Sequence, residues 1–306
     1  MADLKMFQTI EKWGSFVRFS HTVFALPFAL AAMLVASRDF PHPGWPGWKT
    51  FGLILAAMVC ARTCAMAFNR IVDRKFDALN PRTVNRHLPS GEISLASAIS
   101  LCVISAAGLI AASYFLNPLC FYLSPVALIA VCFYSLTKRF TDYTHVFLGL
   151  ALAFAPIGAW LAVKGGNVSA LEMLQMTLLA LAVILWLVGF DIIYALQDYE
   201  FDKSHGLRSL VVAWGPKNAL AGAFLAHMVM CGLLFAFGLI TFGLHAIAYF
   251  VGWLIIVGCL VLEHWIARRR SLNWINLAFF RLNALVGAVF LIGVAAEVVF
   301  PFFRMK

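Results

Sequence analysis

The chain has 306 residues, of which 63% are hydrophobic and only 12% are charged. A water-soluble domain of this length cannot hide so much apolar surface, so the composition excludes an ordinary soluble enzyme and indicates a membrane protein. The net charge of +9 would suit a nucleic-acid partner, so the positions of the basic residues have to decide between the two.

Long apolar runs follow one another along most of the chain. A membrane-spanning helix needs roughly 20 mainly apolar residues, and nine runs of this kind are bounded by charged residues, Gly or Pro. In chain order they are Phe16–Ser37, Thr50–Arg70, Ile93–Phe115, Pro118–Leu136, His145–Val163, Leu171–Ile193, Ala213–Thr241, Leu244–Ala267 and Ala278–Val299. The runs lack the alternating pattern of membrane β-strands. We therefore predict an all-α, polytopic bundle of about nine transmembrane helices, forming one domain over residues 1–306.

The first run and the basic residues together predict the topology. Phe16–Ser37 is long and follows the acidic residues Asp3 and Glu11, so we interpret it as the first helix and not as a cleaved signal peptide. With the N-terminus in the cytoplasm, the inner segments hold 17 Lys and Arg residues and the outer segments hold 5, while Arg62 lies inside the second run. This excess obeys the positive-inside rule. The distribution indicates the lipid bilayer, and not nucleic acid, as the partner. Nine spans then predict a C-terminus outside.

Carboxylates cluster on the two longest inner segments, near residues 70–92 and 194–212. Positions four apart on an α-helix differ in direction by about 40°, and positions seven apart by about 20°. If the preceding helices continue a turn or two past their apolar runs, each cluster forms one stripe at the inner face of the membrane. The first stripe is Asn69, Asp73 and Asp77, and the second is Asp191, Asp198 and Asp202, with Tyr194 beside it.

The oxygen-rich stripes predict a divalent metal site. Clustered carboxylates repel one another unless a cation lies among them, and Mg²⁺ prefers oxygen ligands shared with substrate phosphates. No His or Cys is interleaved, which argues against zinc or iron. Two facing stripes would hold two metal ions with a diphosphate between them. The alternative is a set of solvated charges with ordinary ion pairs to Arg70, Arg74 and Lys75.

Four further side chains are candidates for binding a diphosphate. Tyr134 and Lys138 form a Y-x3-K element at the inner end of the fourth run, where one α-helical turn would place them on one face. Arg62 lies two turns before Asn69 in an apolar run, where an unpaired charge is costly and therefore suggests function. Arg18 opens the first helix. Lys138 as a topological charge and Arg18 as an interface anchor are the alternatives.

Three motifs resemble the UbiA superfamily of intramembrane prenyltransferases. The first aspartate motif of that family is similar to N-R-I-V-D-R-K-F-D, from Asn69 to Asp77, followed by A-L-N-P-R-T-V-N-R-H-L-P-S-G. The second is similar to D-I-I-Y-A-L-Q-D-Y-E-F-D, from Asp191 to Asp202, and the family's YxxxK element to Y-S-L-T-K. Together with the nine spans, the resemblance covers essentially the whole chain.

The resemblance implies a Mg²⁺-dependent transfer of a polyprenyl group from its diphosphate to a ring carbon of an aromatic acid acceptor. Five residues would bind the diphosphate through Mg²⁺: Asn69, Asp73, Asp77, Asp198 and Asp202. Asp191 would hold metal or orient the acceptor, and Lys138 would bind phosphate oxygens. Tyr194 and Arg62 would assist catalysis, while Arg18 and Tyr134 would contact substrate.

Two branches of the family share features with the chain. The N-P-R-T-x-N-R and D-x-x-Y-A-x-Q-D segments resemble the branch that prenylates 4-hydroxybenzoate in ubiquinone synthesis. The ending E-F-D-x-x-H-G-L-x-S resembles relatives assigned to 1,4-dihydroxy-6-naphthoate in menaquinone synthesis, and His87 stands where the commoner pattern has proline. The family also implies a bacterial inner membrane, with the active site on the cytoplasmic side.

Two other classes of membrane protein use intramembrane carboxylates. A phosphatidyl-alcohol transferase would require a D-G-x2-A-R element leading into the aspartates, and the sequence has none. A cation- or proton-coupled transporter would place its carboxylates near the membrane midplane, whereas these lie at inner helix ends. The sequence therefore favours the prenyltransferase.

Overall fold

A computed structural model describes residues 11–18, 22–268 and 278–300. Its regular structure is helical, and the described residues contain no β-strand, which confirms the all-α prediction. The helices are α1 (Thr22–Ala36), α2 (Trp48–Leu79), α3 (Leu95–Leu116), α4 (Pro118–Phe133), α5 (Thr144–Lys164), α6 (Ala170–Ala195), α7 (Tyr199–Ser204), α8 (Leu210–Phe242), α9 (Ile247–Ala267) and α10 (Asn283–Val299). Tyr134–Arg139 and Leu196–Asp198 are 3₁₀ turns, and Ala278–Leu282 is a π-helical turn.

The apolar helices match the predicted spans. In the described part of the chain, eight helical stretches are long and apolar enough to cross a membrane, and they correspond to the second through ninth predicted runs. The first run differs, because it contains the shorter apolar helix Phe24–Ala36 and because its residues 19–21 lie outside the described residues. The chain is therefore an integral membrane protein with about nine apolar helices.

Side-chain caps define where several helices begin. Ser169 and Glu172 form a reciprocal capping box at the start of α6, and the Ser209 hydroxyl accepts the backbone N–H of Val212 at the start of α8. Such caps satisfy N–H groups that a helix leaves without a partner in its first turn. The α8 cap places the residues just before it, including Arg208, at the N-terminal end of that helix.

Contacts divide the chain into two compact units. The first comprises residues 1–23 and 52–136, and the second comprises residues 24–51 and 137–306. In the first unit α3 packs on α4, and one core cluster consists of Phe16, Val17, Met66, Ala67, Ile93 and Ala98. A single domain over residues 1–306 stays a prediction.

In the second unit α6 packs on both α5 and α8, and α9 packs on α8 and α10. Glycines allow two of these contacts to be close. A Cβ atom at Gly149 would lie 2.8 Å from the Ile184 carbonyl oxygen, and one at Gly189 would overlap the imidazole ring of His227. Small residues permit such close helix packing in membranes, where no hydrophobic driving force exists between helices.

Candidate active site

The first aspartate motif lies on α2. The helix continues past the predicted end at Arg70 to Leu79, so Asn69, Asp73 and Asp77 are helical as predicted. The Asn69 amide donates a hydrogen bond from Nδ2 to Asp73 Oδ2 over 3.0 Å, which is the contact expected of neighbours on one helix face. The side-chain amide oxygen of Asn69, Oδ1, takes no part in that bond.

Asp77 is buried, with 7% of its surface exposed, and faces two arginines. Arg86 donates from Nη1 to Oδ1 over 2.7 Å, and Arg70 Nη1 lies 4.0 Å from Oδ2. The Thr83 hydroxyl donates to the Asp77 carbonyl over 3.0 Å and fixes the turn that returns Arg86 to the helix. No spacing rule links residues across an irregular turn, so the sequence did not predict Arg86 as a partner of Asp77.

The loop that follows α2 packs on residues near the N-terminus. His87 Nε2 lies 2.9 Å from the hydroxyl of Ser15, and the ring meets Phe16 edge to face. Burial lowers the pKa of His87 below its usual value. The negative charge of nearby Glu92 acts in the opposite direction and offsets only part of this effect. The departure from the commoner proline at this position therefore affects loop packing and does not touch the predicted metal ligands.

Three other predicted residues of the first unit interact electrostatically. The guanidinium group of Arg62 is close enough to Tyr134 and Arg18 to interact electrostatically with both. Its Nε atom is buried with no hydrogen-bond partner among the described residues. Tyr134 begins a 3₁₀ turn. The expectation that Tyr134 and Lys138 share one face of an α-helical turn is therefore wrong, because four steps of a 3₁₀ helix separate side chains by about 120°.

The second aspartate motif is not one continuous α-helix. Helix α6 ends at Ala195, Leu196–Asp198 form a 3₁₀ turn, and α7 begins at Tyr199. The tighter turn advances each residue by about 120° instead of 100°, so the single stripe expected for an uninterrupted helix does not apply. The carboxylates are nonetheless held inside the protein, since Asp198 and Asp202 are both buried.

Lys138 lies beside the second motif. Its Nζ atom is 3.6 Å from Asp202 Oδ2, with 40% of the lysine side chain and 5% of the aspartate side chain exposed. Two hydrogen bonds from Arg208 hold this segment in place: the backbone N–H donates to the Lys138 carbonyl over 2.8 Å, and Nη1 donates to the Phe140 carbonyl over 3.0 Å. The structure thus brings a predicted phosphate ligand to a predicted metal ligand.

Asp191 is paired with a histidine that the sequence analysis did not select. Nδ1 of His145 lies 2.6 Å from Asp191 Oδ2, and the histidine side chain is completely buried. The sequence did contain a signal for His145, which is an ionisable residue at the edge of an apolar run. Ionisable residues are costly in a membrane helix and are therefore candidates for function. Tyr194 follows Asp191 on α6 and is partly exposed.

Comparison with known proteins decides the family. Residues 25–296 match the UbiA prenyltransferase family. A 4-hydroxybenzoate octaprenyltransferase from Paraburkholderia phytofirmans is 31% identical over 271 residues, which cover 88% of each chain. The apo structure of a UbiA homolog from Aeropyrum pernix K1 matches with a TM-score of 0.80 at 33% identity, covering 90% of this chain and 98% of that one. The chain belongs to the UbiA prenyltransferase family.

A more distant UbiA homolog, from Archaeoglobus fulgidus and bound to GPP and Mg²⁺, shares the fold. Its TM-score is 0.67 at 21% identity, covering 94% of this chain and 99% of that one. Membership in the UbiA family confirms the resemblance drawn from the motifs, and with it the enzyme class: the chain is a prenyltransferase. The roles of its individual residues stay predictions.

The donor chemistry of this UbiA protein fits Mg²⁺. Within the described ranges, no three His, Cys, Asp or Glu side chains are close enough to hold a metal ion by themselves. Mg²⁺ does not require such a cage, because it is commonly held by one or two carboxylates together with waters and substrate phosphates. Asp73 and the side-chain oxygen of Asn69 in the first unit, and Asp198 and Asp202 in the second, are all hard oxygen donors, which is the donor type that Mg²⁺ prefers.

Proposed function

We propose that this UbiA prenyltransferase transfers a polyprenyl group from a polyprenyl diphosphate to a ring carbon of an aromatic acid, in a Mg²⁺-dependent reaction of respiratory quinone synthesis. Two comparisons support the proposal. The curated relative is named for 4-hydroxybenzoate and an octaprenyl group, and a protein of the same fold is bound to GPP and Mg²⁺.

The observation that carries the proposal is the burial of Asp198 and Asp202 at the end of an apolar helix. Taking carboxylates out of water is costly unless cations compensate their charge. Lys138 lies 3.6 Å from Asp202 and carries one of the compensating charges. A divalent ion that accompanies a diphosphate would bring further positive charge to these buried oxygens, which makes this segment suited to an anionic substrate bound through metal.

The proposed roles follow from donor type. In the first unit Asn69 and Asp73 would hold Mg²⁺, and Asp77 would join them only by exchanging its ion pair with Arg86. In the second unit Asp198 and Asp202 would hold Mg²⁺. Bound Mg²⁺ supplies positive charge to the diphosphate oxygens as the allylic C–O bond breaks. Lys138 donates hydrogen bonds to those oxygens and stabilises the same developing charge.

The basic residues of the first unit are themselves suited to an anionic substrate. Arg62, Arg18 and Tyr134 would contact the substrate through N–H and O–H groups. Arg62 Nε is buried without a hydrogen-bond partner among the described residues, and such a group is stabilised when an anion provides an acceptor. An arginine fork suits phosphate oxygens particularly well.

The carbon bonds that break and form in the transfer all belong to the two substrates. The allylic C–O bond breaks, and the diphosphate leaves with the electron pair. A ring carbon ortho to the acceptor hydroxyl forms the new C–C bond, and the ring proton then leaves to restore aromaticity. Asp191 or the released diphosphate would accept that proton, and Tyr194 lies one turn from Asp191 on α6.

The acceptor is proposed to be 4-hydroxybenzoate, on the strength of the curated relative. One sequence feature favours 1,4-dihydroxy-6-naphthoate as a second candidate, namely the ending E-F-D-x-x-H-G-L-x-S from Glu200 to Ser209. This segment contains Asp202 and leads into α8, so it belongs to the same region as the proposed site.

We propose a location in a bacterial inner membrane, with the N-terminus and the active site on the cytoplasmic side and the C-terminus outside. The excess of Lys and Arg on the inner segments supports this orientation. Labelling of single cysteines introduced at the two termini, with and without permeabilisation, tests it. Equal labelling of both termini in sealed cells contradicts the proposed topology.

A membrane assay tests the reaction itself. Membranes with the protein receive a polyprenyl diphosphate, Mg²⁺, and either 4-hydroxybenzoate or 1,4-dihydroxy-6-naphthoate, and mass spectrometry detects prenylated product with and without EDTA. Product from one acceptor that disappears with EDTA and returns with Mg²⁺ supports the proposal and identifies the branch. Folded protein that prenylates neither acceptor overturns it.

A further inference from the structure

His145 and Asp191 form a close pair whose two members differ in access. Nδ1 of His145 lies 2.6 Å from Asp191 Oδ2, and the exposed fractions of the side chains are 0% and 24%. The imidazole therefore cannot meet a substrate directly, whereas the carboxylate can. His145 lies in the first turn of α5, and Asp191 lies in the last turn and a half of α6.

The hydrogen bond between His145 and Asp191 runs from the imidazole to the carboxylate. An ionised carboxylate only accepts hydrogen bonds, so Nδ1 of His145 carries the hydrogen and donates. The separation of 2.6 Å is short for an N–H···O hydrogen bond, and an ionised acceptor shortens such bonds. The other ring nitrogen, Nε2, is buried and has no partner among the described residues, so the contact with Asp191 is what fixes the orientation of the ring.

Asp191 has one carboxylate oxygen that His145 does not contact, and its side chain is 24% exposed on a stretch of α6 that is otherwise largely buried. Ile192 and Ile193 are buried at 1% and 0% exposure, whereas Asp191 and Tyr194 are both partly exposed. Within the described part of the chain, His145 is the hydrogen-bond partner of Asp191 and uses only Oδ2. Oδ1 is left for a group that donates a hydrogen bond from outside this helix pair.

We infer that His145 is a positioning residue of the transfer, which holds Oδ2 of Asp191 so that Oδ1 accepts a hydrogen bond from the hydroxyl group of the aromatic acceptor. The inference rests on the proposed function. As the ring carbon attacks the allylic carbon, electron density moves from the hydroxyl oxygen into the ring, and the hydroxyl hydrogen becomes more acidic. A hydrogen bond to a fixed carboxylate oxygen therefore strengthens in the transition state, where it accelerates the reaction.

The test compares His145→Ala with His145→Asn in the full chain. The amide N–H of Asn occupies nearly the position of the imidazole Nδ1–H, so Asn retains the donor that Ala removes. We expect Ala to lower kcat/KM for the acceptor by about 10–100-fold, the scale of a misplaced catalytic group, and Asn to recover most of it. The KM for polyprenyl diphosphate should remain at the wild-type value in both variants.

An Asp191→Ala background separates positioning from a general structural role. Residues that act through one another are non-additive, so His145→Ala should cost little further activity once Asp191 is already lost. Thermal unfolding in detergent and binding of the diphosphate with Mg²⁺ establish that each variant is folded.

Three results overturn the inference. They are equal losses for His145→Ala and His145→Asn, a loss in which the KM for the diphosphate rises together with that for the acceptor, and full additivity with Asp191→Ala. If His145→Ala does not fold, the Asn variant decides alone: near-wild-type acceptor kinetics support the inference, and a loss equal to that of Asp191→Ala refutes it. Wild-type protein that prenylates no aromatic acceptor refutes the proposed function itself, and the inference falls with it.

Discussion

The Nζ atom of Lys138 lies 3.6 Å from Oδ2 of Asp202, although Lys138 follows α4 and Asp202 lies in α7. The aspartate is buried and the lysine is 40% exposed, so the pair places a cation at the boundary between the protein interior and its surroundings. An anion that brings its own metal ion to the aspartate would let the ammonium group turn from Asp202 toward phosphate oxygens. The pair therefore suits a site that exchanges an internal ion pair for a substrate.

Lys138→Met should lower activity strongly. The substitution keeps most of the side-chain volume but removes the donor that we propose for the leaving diphosphate, and the loss of one such stabilising group typically costs roughly 10²–10³ in kcat. Steady-state kinetics with a polyprenyl diphosphate measure the effect.

Lys217→Met is the matched control, since Lys217 is an exposed lysine near the start of α8 and its loss should leave kcat near the wild-type value. A kcat for Lys138→Met equal to that of the control would show that Lys138 is a topological charge only.

Asp73→Ala and Asp198→Ala should each reduce turnover by orders of magnitude while the protein stays folded. Each removes an oxygen donor that we propose for Mg²⁺, and metal-ion catalysis contributes several kcal/mol to the stabilisation of developing charge. Product formation over a Mg²⁺ titration, with thermal unfolding as the test of folding, measures both. Asp39→Ala provides the control, because Asp39 has 74% of its side chain exposed and, among the described residues, forms an ion pair with Arg38 alone, at 3.7 Å. Near-normal turnover in both test variants would exclude the proposed metal set.

The sequence predicted those parts of the site that depend on helical spacing, and it missed those that depend on long-range contacts. Asn69 and Asp73 meet across one turn of α2 because four-residue spacing on a continuous helix fixes their relation. The same rule failed after Ala195, where the switch to a 3₁₀ turn changed the angle per residue. His145 and Arg86 went unselected, because their contacts with Asp191 and Asp77 arise from helix packing and from an irregular turn.

Gly189→Ala should destabilise the second unit. His227 donates from Nε2 to the Trp186 carbonyl over 3.1 Å, since a carbonyl only accepts, and an alanine methyl at position 189 would overlap this imidazole. Overpacking of a close contact costs typically about 1–3 kcal/mol. Thermal unfolding of the purified protein in detergent measures the shift.

Gly258→Ala makes the same change on α9, where a Cβ meets nothing within 4 Å. Alanine is favoured over glycine in a helix by about 1 kcal/mol, so the control should be neutral or slightly stabilising. The packing argument fails if both alanine variants unfold at the same temperature.

Asn283→Ala should destabilise the protein more than Glu263→Gln does. The Asn283 amide oxygen accepts a hydrogen bond from Trp186 Nε1 over 2.7 Å, and its Nδ2 donates to Glu263 Oε1 over 2.8 Å. All three side chains are buried, so the alanine variant leaves two buried polar groups without partners, at about 1–3 kcal/mol for each.

Glu263→Gln retains an oxygen that accepts from Asn283 and removes the possibility of a buried charge, so its unfolding temperature should stay within a few degrees of the wild type. Asn218→Ala is the matched asparagine control, because Asn218 is exposed on α8 and its amide donates to the Trp214 carbonyl over 3.1 Å, its one side-chain hydrogen bond within the described ranges. Equal unfolding temperatures for Asn283→Ala and Asn218→Ala would mean that the buried network adds nothing measurable to stability. A Glu263→Gln variant as unstable as Asn283→Ala would instead show that the carboxyl group itself is required, and would place Glu263 among the intramembrane acids with a function beyond packing.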